Sequence, residues 1–359
     1  MRAALLAGLL LLAGCVSLPE PRSASCEAAK RPPISLAEDG RTRSMRLDVL
    51  TYNIEGLPKS VRGGRPARLR ELGAILADLR SRGEAPDIVM FQEVFSRSAR
   101  NAVLTSGYPT LAPGPGARDR RPPSNGGRLP GRSNPRKGEF GLKLASSGLV
   151  IASEFPMAAR GAWPFDRSSC AGFDCLANKG LALARVTIPG LPAPLDLYTT
   201  HMNSMGASRV KEARHVAAHA RQAREIGEHL DAHTPAWVPV ILAGDFNMRA
   251  APVRFRAFEA VHGLELVHTA CLADPDACDV RVSWDGDAPW LDTQDLQLFA
   301  SGASVRIRPV RVEAMFDGSP GSPRLSDHDG LRVVYELSWL ATEPWGLCES
   351  DGGGARSGR

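Results

Sequence analysis

From Arg46 onward, short apolar runs alternate with polar stretches. The runs Arg46–Glu55, Asp87–Val94, Gly148–Ser153, Leu181–Ile188, Leu195–Met202 and Pro239–Phe246 read as strands, bounded by Gly, Pro or Asn. Three more follow at Asp295–Ala300, Val305–Val312 and Leu331–Leu337. Pro66–Gly83 carries Leu69, Leu72, Leu76 and Leu79 at helical spacing and predicts an amphipathic helix. Residues 207–231 predict a second helix, polar and Ala-rich. No internal repeat of 20 to 50 residues interrupts the order. Strands interleaved with helices predict one α/β domain with two sheets between helices, over residues 45–345.

The ends of the chain read differently. Arg2 precedes an apolar run, Ala3 to Ala13, too short to span a bilayer as a mature helix. Residues 1–14 therefore read as a signal peptide. Ala13 and Gly14 immediately before Cys15 resemble a bacterial lipobox, which makes Cys15 the expected lipidated first residue of an exported protein. Val16 is not acidic, which favours outer-membrane anchoring over retention. Residues 15–44 lack periodicity and predict a tether. Residues 346–359 predict a tail.

Charge narrows the choice of partner. The 359 residues carry a net charge of +5, and the balance of 43% apolar and 23% charged residues is that of a globular protein. Residues 113–138 hold seven Arg or Lys against one Asp, so the rest of the mature chain is slightly acidic. That is not a broad nucleic-acid platform. The segment is rich in Pro, Gly and Ser and predicts a disordered insertion able to touch anionic lipid or phosphates.

Six cysteines remain besides Cys15. Cys170/Cys175 and Cys271/Cys278 are close in sequence, which leaves Cys26 with Cys348. Fifteen pairings are formally open, and zinc is the alternative, without C-x-x-C spacing or a paired histidine.

Candidate chemistry sits where strands stop. Asn53, Glu93, His201 with Asn203, and Asp245 with Asn247 each follow an apolar run; Asp327 and His328 precede the last one. Such ends can converge on one rim of a sheet. Glu93, Asn53 and Asp327 offer the oxygens that suit a hard cation, Mg²⁺ or Mn²⁺. His201 and His328 can donate to phosphoryl oxygens or move protons near neutral pH. Asp245 can orient or deprotonate a water, and Asn247 can hold a phosphate oxygen. His215 and His219 lie four apart on the second helix with no Glu between them, and read as a solvated face. His229, His233, His262 and His268 have no companions that suggest a site. The tryptophans at 237, 284, 290, 339 and 345 read as packing.

The segments Thr51-Tyr52-Asn53, Phe91-Gln92-Glu93, Thr200-His201-Met202-Asn203, Gly244-Asp245-Phe246-Asn247 and Ser326-Asp327-His328 resemble the endonuclease/exonuclease/phosphatase superfamily. The resemblance spans residues 46 to 338. It implies a DNase-I-like, four-layer αββα sandwich and a Mg²⁺-dependent phosphoester hydrolase. It gives Glu93 the metal with Asn53 beside it. It gives Asp245 and Asn247 the nucleophile and phosphate, His201 the transition state, and His328 the general base or acid. It also implies an Asp supporting that histidine: Asp295 matches best, with Asp292 as rival.

Within the superfamily the chain is most similar to bacterial neutral sphingomyelinases. Phe91-Gln92-Glu93-Val94-Phe95 and Asn178-Lys179-Gly180 carry this, with export and a lipid anchor. The resemblance implies a phospholipid membrane as substrate, with Lys179 and Asn203 as substrate-binding residues; Lys179 could equally pair with Asp174. Trp163, Phe165 and Phe173 form a stretch able to meet a membrane interface. A secreted nuclease gripping nucleic acid through the basic segment is the alternative, and an inositol-phosphate phosphatase a weaker one. No protein partner is implied, and a monomer is expected.

Overall fold

The computed structural model describes residues 17–122, 127–281, 293–343 and 348. Two sheets face each other. The first has the order β11-β13-β14-β2-β3-β5-β4, with the short β1 (Ser35–Leu36) beside β2. Its central strands are β2 (Thr42–Asn53), β3 (Ile88–Gln92) and β14 (Gly330–Leu340). Outside them lie β4 (Thr110–Pro113), β5 (Val150–Ser153), β11 (Asp279–Arg281) and β13 (Arg306–Met315). The second sheet has the order β10-β12-β9-β8-β7-β6. It comprises β6 (Met157–Pro164), β7 (Gly180–Val186), β8 (Leu195–His201), β9 (Val240–Asp245), β10 (Glu265–Leu266) and β12 (Asp295–Ala300).

Period-two alternation decides what each strand shows to the other sheet. In β2, Leu47 and Val49 enter the core between the sheets, while Leu50 and Tyr52 enter a second core. That second core lies under α1 (Arg65–Ser81) and α2 (Arg97–Thr105), through Leu69, Leu72, Leu76 and Val103. In β9, Ile241 and Ala243 face inward, while Val240 and Leu242 join a third core. There they meet Ile226 and Leu230 of α3 (Glu212–His233) and Phe258 of α4 (Pro252–Glu259). The result is helix, sheet, sheet, helix, as expected. A last helix, α5 (Val267–Ala273), packs Val267 and Cys271 against the inter-sheet core.

Buried polar rungs cross between the sheets. Gln92 donates to Thr199 Oγ1 at 3.1 Å, and Gln297 of β12 donates to the carbonyls of Val49 and Leu331 at 3.0 and 2.9 Å. Apolar contacts alone tolerate sliding. These bonds oppose it, because a shifted rung leaves buried amides unpaired.

All three expected disulfides form: Cys26–Cys348, Cys170–Cys175 and Cys271–Cys278. No described helix is long and apolar enough to cross a membrane. The signal segment and Cys15 lie outside the described residues.

Two expectations are corrected. From Leu18 on, the supposed tether packs on the domain. Leu18 is buried in the second core, Arg22 exchanges backbone bonds with Leu111, and Lys30 pairs with Asp87 at 2.5 Å. The described part of the basic insertion is also anchored. Arg121 pairs with Glu225 at 2.7 Å, Leu129 is buried, and Arg214 of α3 donates to the carbonyl of Pro130 at 3.0 Å. Low apolar content hid this order, because side-chain to carbonyl bonds rather than apolar burial hold the segment.

Candidate active site

The inward phase of four strands carries past the apolar core to one rim. Asn53 continues the series of Leu47, Val49 and Thr51 in β2. His201 and Asp245 end the parallel neighbours β8 and β9, directly opposite each other. Asp295 opens β12 opposite Asp245. The strand ends therefore deliver four polar side chains to one place, all buried.

Glu93 joins by breaking the alternation. It lies just beyond β3 with φ +62°, a left-handed conformation rare for a residue with a side chain. Asn247 has φ +52°. Backbone strain of this kind gathers where geometry is over-determined by its surroundings.

The contacts are close. Asn53 Nδ2 donates to Asp245 Oδ2 at 2.9 Å and lies 3.4 Å from Glu93 Oε1. His328 Nδ1 lies 2.5 Å from Asp295 Oδ2, and its Nε2 lies 3.9 Å from Asp245 Oδ2. His201 Nε2 lies 3.2 Å from Asp245 Oδ2. Lys179 Nζ reaches His201 Nε2 at 3.0 Å, the Met202 carbonyl at 2.9 Å, and the carboxylate of Asp174. Asn247 donates its backbone N–H to Asp245 Oδ1 at 2.9 Å and its side-chain amide to the Met202 carbonyl at 3.2 Å.

Burial and neighbouring charge set the protons. Desolvation raises the Asp245 carboxyl to about 7, with His328 opposing and Asp295 adding to the rise. Desolvation also raises Glu93, opposed by Lys179 and His328. Burial pushes His328 down, but Asp295, through charge and hydrogen bond, outweighs it and lifts the imidazole to about 11. His201 is held well below its usual range by burial, Lys179 and His328. The rim thus holds a protonated imidazole, a neutral one, and a carboxyl that exchanges its proton near neutrality.

Half-buried Glu93 and buried Asp245 meet across one amide, and Glu93 has no ion-pair partner among the described residues. Asp245, Asp295 and His328 also present ligand atoms within 4.8 Å of one another. A hard divalent cation fits this oxygen-rich donor set.

Three assignments change. Asp327 points outward, half-exposed, 3.6 Å from Arg62, because alternation along 326–328 sends His328 inward and its neighbour away. It acts on the rim through its charge, which raises both His328 and Glu93. Asn203 is fully buried: its oxygen accepts from the Ala171 N–H at 2.9 Å and its amide donates to the Ser204 carbonyl at 3.0 Å. It braces the 170–176 segment rather than facing the cleft. His215 and His219 are not a solvated pair. His219 is buried with Nε2 2.8 Å from the Phe246 carbonyl, and His215 Nδ1 lies 2.6 Å from Arg254.

Of the aromatic stretch, Trp163 stacks on His229 and packs tilted against His233, with ring centroids 4.9 and 4.3 Å apart, and Phe165 is buried; Phe173 alone is exposed. Asp292, the rival to Asp295, and the tryptophans at 284, 290 and 345 lie outside the described residues.

Other supporting residues gave no sequence signal. Buried Arg254 donates to the carbonyls of Asn203 and Asn247 at 2.5 and 3.0 Å, clamping two strand ends together. Buried Arg65 donates to the carbonyls of Ile54 and Glu55 at 2.6 and 2.8 Å, fixing the turn after Asn53. The Gln294 amide lies 3.1 Å from His328 Nε2.

Comparison with curated proteins finds no match. Among solved structures, a double mutant of β toxin from Staphylococcus aureus with bound magnesium ions is similar at 18% identity and TM-score 0.55, covering 80% of this chain and 99% of that one. Sphingomyelinase C from Streptomyces griseocarneus matches at 21% identity and TM-score 0.55, covering 80% and 99%. TDP2 from D. rerio complexed with a single-strand DNA product matches at 17% and 0.53, covering 81% and 98%. These likenesses are of fold. The model of the Endonuclease/Exonuclease/phosphatase family matches residues 50–328, from the strand that delivers Asn53 to His328 itself, and the chain belongs to that family.

Proposed function

We propose that the protein is a Mg²⁺-dependent phosphodiester hydrolase that cleaves a phospholipid head group of the sphingomyelin type. The observation that carries the substrate reading is the convergence of Lys179 on the rim. Buried, tied to Asp174 and 3.0 Å from His201, it places a fixed cation beside the reacting groups. The Lys-Gly element that links the sequence to sphingomyelinases therefore meets the catalytic cluster. The fold likeness to β toxin and sphingomyelinase C supports the same reading.

Glu93 would hold the ion with Asn53, and the ion supplies charge stabilisation to the phosphoryl oxygens. Asp245, exchanging its proton near pH 7, takes the proton of the attacking water at Oδ2. His328, kept in orientation by Asp295, presents a proton at Nε2 to the phosphoryl group or the leaving oxygen. Neutral His201 and the amide of Asn247 fix the phosphate between them. Asp327 tunes His328 by charge.

A nuclease is the second reading, favoured by the likeness to TDP2 complexed with single-strand DNA. Hydrolysis of sphingomyelin vesicles and of plasmid DNA, side by side with Mg²⁺ and with EDTA, separates the two. Phosphocholine release without DNA nicking supports the first reading; nicking without phosphocholine replaces it.

A further inference from the structure

A cavity of about 760 Å³ opens beside the rim, between the basic insertion, the Cys170–Cys175 loop and α3. Five cations line it: Arg128, Arg132, Lys143, Arg167 and Arg214. The one carboxylate in the wall, Glu139, is already taken by Arg214 at 2.8 Å and by the backbone N–H of Gly172 at 2.8 Å. Arg128 and Arg132 have no side-chain partner among the described residues. Arg167 donates to the Gly141 carbonyl at 3.0 Å. Lys143 meets only the sulfur of Cys170, at 3.6 Å, and burial pulls it down to about 8. Four cations thus face one cavity without a carboxylate bonded to any of them.

Exposed apolar side chains gather around this cavity. Phe140 and Leu142 flank Gly141 in the wall and are 45% and 61% exposed; Phe173, between the two cysteines, is 38% exposed. Cation-lined concavity with protruding apolar side chains matches a bilayer surface, where the apolar tips enter the acyl boundary and the charges meet head groups. A single-stranded nucleic-acid groove instead needs aromatic stacking platforms along a continuous track, and among the described residues no aromatic side chain lines this pocket.

We propose that this pocket binds the phosphate of an anionic phospholipid at a membrane surface, with Phe140, Leu142 and Phe173 inserted around it. The inference shares a lipid surface with the proposed function, yet uses none of its catalytic residues. The pocket docks the protein next to its cleft: Asp174, adjoining Cys175 in the pocket wall, is the residue that holds Lys179 at the rim. An anionic lipid would then hold the enzyme at the bilayer while a different lipid is hydrolysed.

The test is vesicle co-sedimentation of the full chain, with phosphatidylcholine vesicles and with vesicles containing phosphatidylglycerol. Any contribution of the N-terminal anchor is common to both, so the ratio of the two affinities reads the pocket. The ratio is expected to exceed about tenfold at low salt and to shrink as salt screens the charges. Arg128→Gln with Arg132→Gln and Lys143→Gln should lower the ratio roughly a hundredfold or to unity, whichever comes first. Phe140→Ser with Leu142→Ser should weaken binding to both vesicle types. Equal affinity for the two vesicles, or a ratio unmoved by the triple variant, overturns the proposal. So does an oligonucleotide that outcompetes the anionic vesicles at this pocket. The same measurement on His328→Ala should give the wild-type ratio. Wild type that hydrolyses sphingomyelin but shows no preference for anionic vesicles therefore sinks this inference alone, and wild type that prefers anionic vesicles but hydrolyses nothing sinks only the proposed function.

Discussion

Asp295 Oδ2 lies 2.5 Å from Nδ1 of His328, joining the first residue of β12 to a loop 33 residues later. The contact fixes which ring nitrogen faces the cleft and keeps the imidazole protonated. Asp295→Asn keeps the shape and removes the charge. Turnover should fall about a hundredfold to ten-thousandfold, with little change in substrate binding. Steady-state kinetics check this; an unchanged kcat would remove the dyad from the reaction.

The same pair sets a pH dependence of stability. His328 is raised to about 11 from an ordinary value of 6.5, so the folded state holds its proton more tightly than the unfolded one. The stabilisation is complete below about pH 6.5 and is lost as pH rises through about 11. Denaturant unfolding in EDTA should show wild type exceeding His328→Gln at pH 6, with the gap closing above pH 10. A gap independent of pH would contradict the assignment.

Glu93 and Asp245 shift in the same direction as His328. Both carboxyls are raised, so their charged forms burden the metal-free fold at high pH, and the burden is relieved as pH falls through about 7 for Asp245. Added Mg²⁺ should therefore raise Tm more at pH 8 than at pH 5.5. Glu93→Gln should abolish most of that rise and increase the Mg²⁺ requirement for activity sharply. A metal-induced shift that survives Glu93→Gln would place the ion elsewhere.

Cys26–Cys348 closes a loop of 322 residues and touches none of the rim residues. Cys26→Ser with Cys348→Ser should cost about 2–5 kcal/mol of stability and leave kcat unchanged where the protein stays folded. Thermal unfolding and kinetics on the same sample separate these effects. A large loss of kcat in folded protein would show that the chain ends support the cleft.

The strand pattern and the polar residues at strand ends were legible because period two is a strong signal, and it alone aims Asn53, His201, Asp245 and Asp295 inward. What it could not show were residues whose roles depend on burial. His219 read as part of a solvated face because its helix is polar, yet it is buried against the Phe246 carbonyl, and Arg254, which gave no sequence signal, is buried under the strand ends that it holds. Asn203 sits in a site motif but spends its amide on the loop behind it. The short helices α2, α4 and α5 run nine, eight and seven residues and offer too few turns for a clear periodicity. The basic insertion looked disordered by composition, because its order comes from Arg121, Arg214 and Glu139 acting across the chain.

The central claim is that the cluster around His328 cleaves a phosphodiester with a divalent ion. The most direct test is the initial rate of phosphocholine release from sphingomyelin vesicles by wild type and by His328→Ala, with Mg²⁺ and with EDTA. The account predicts release by wild type in Mg²⁺ only, and at most a thousandth of that rate in folded His328→Ala. Release that persists in EDTA, or in the variant, would contradict it.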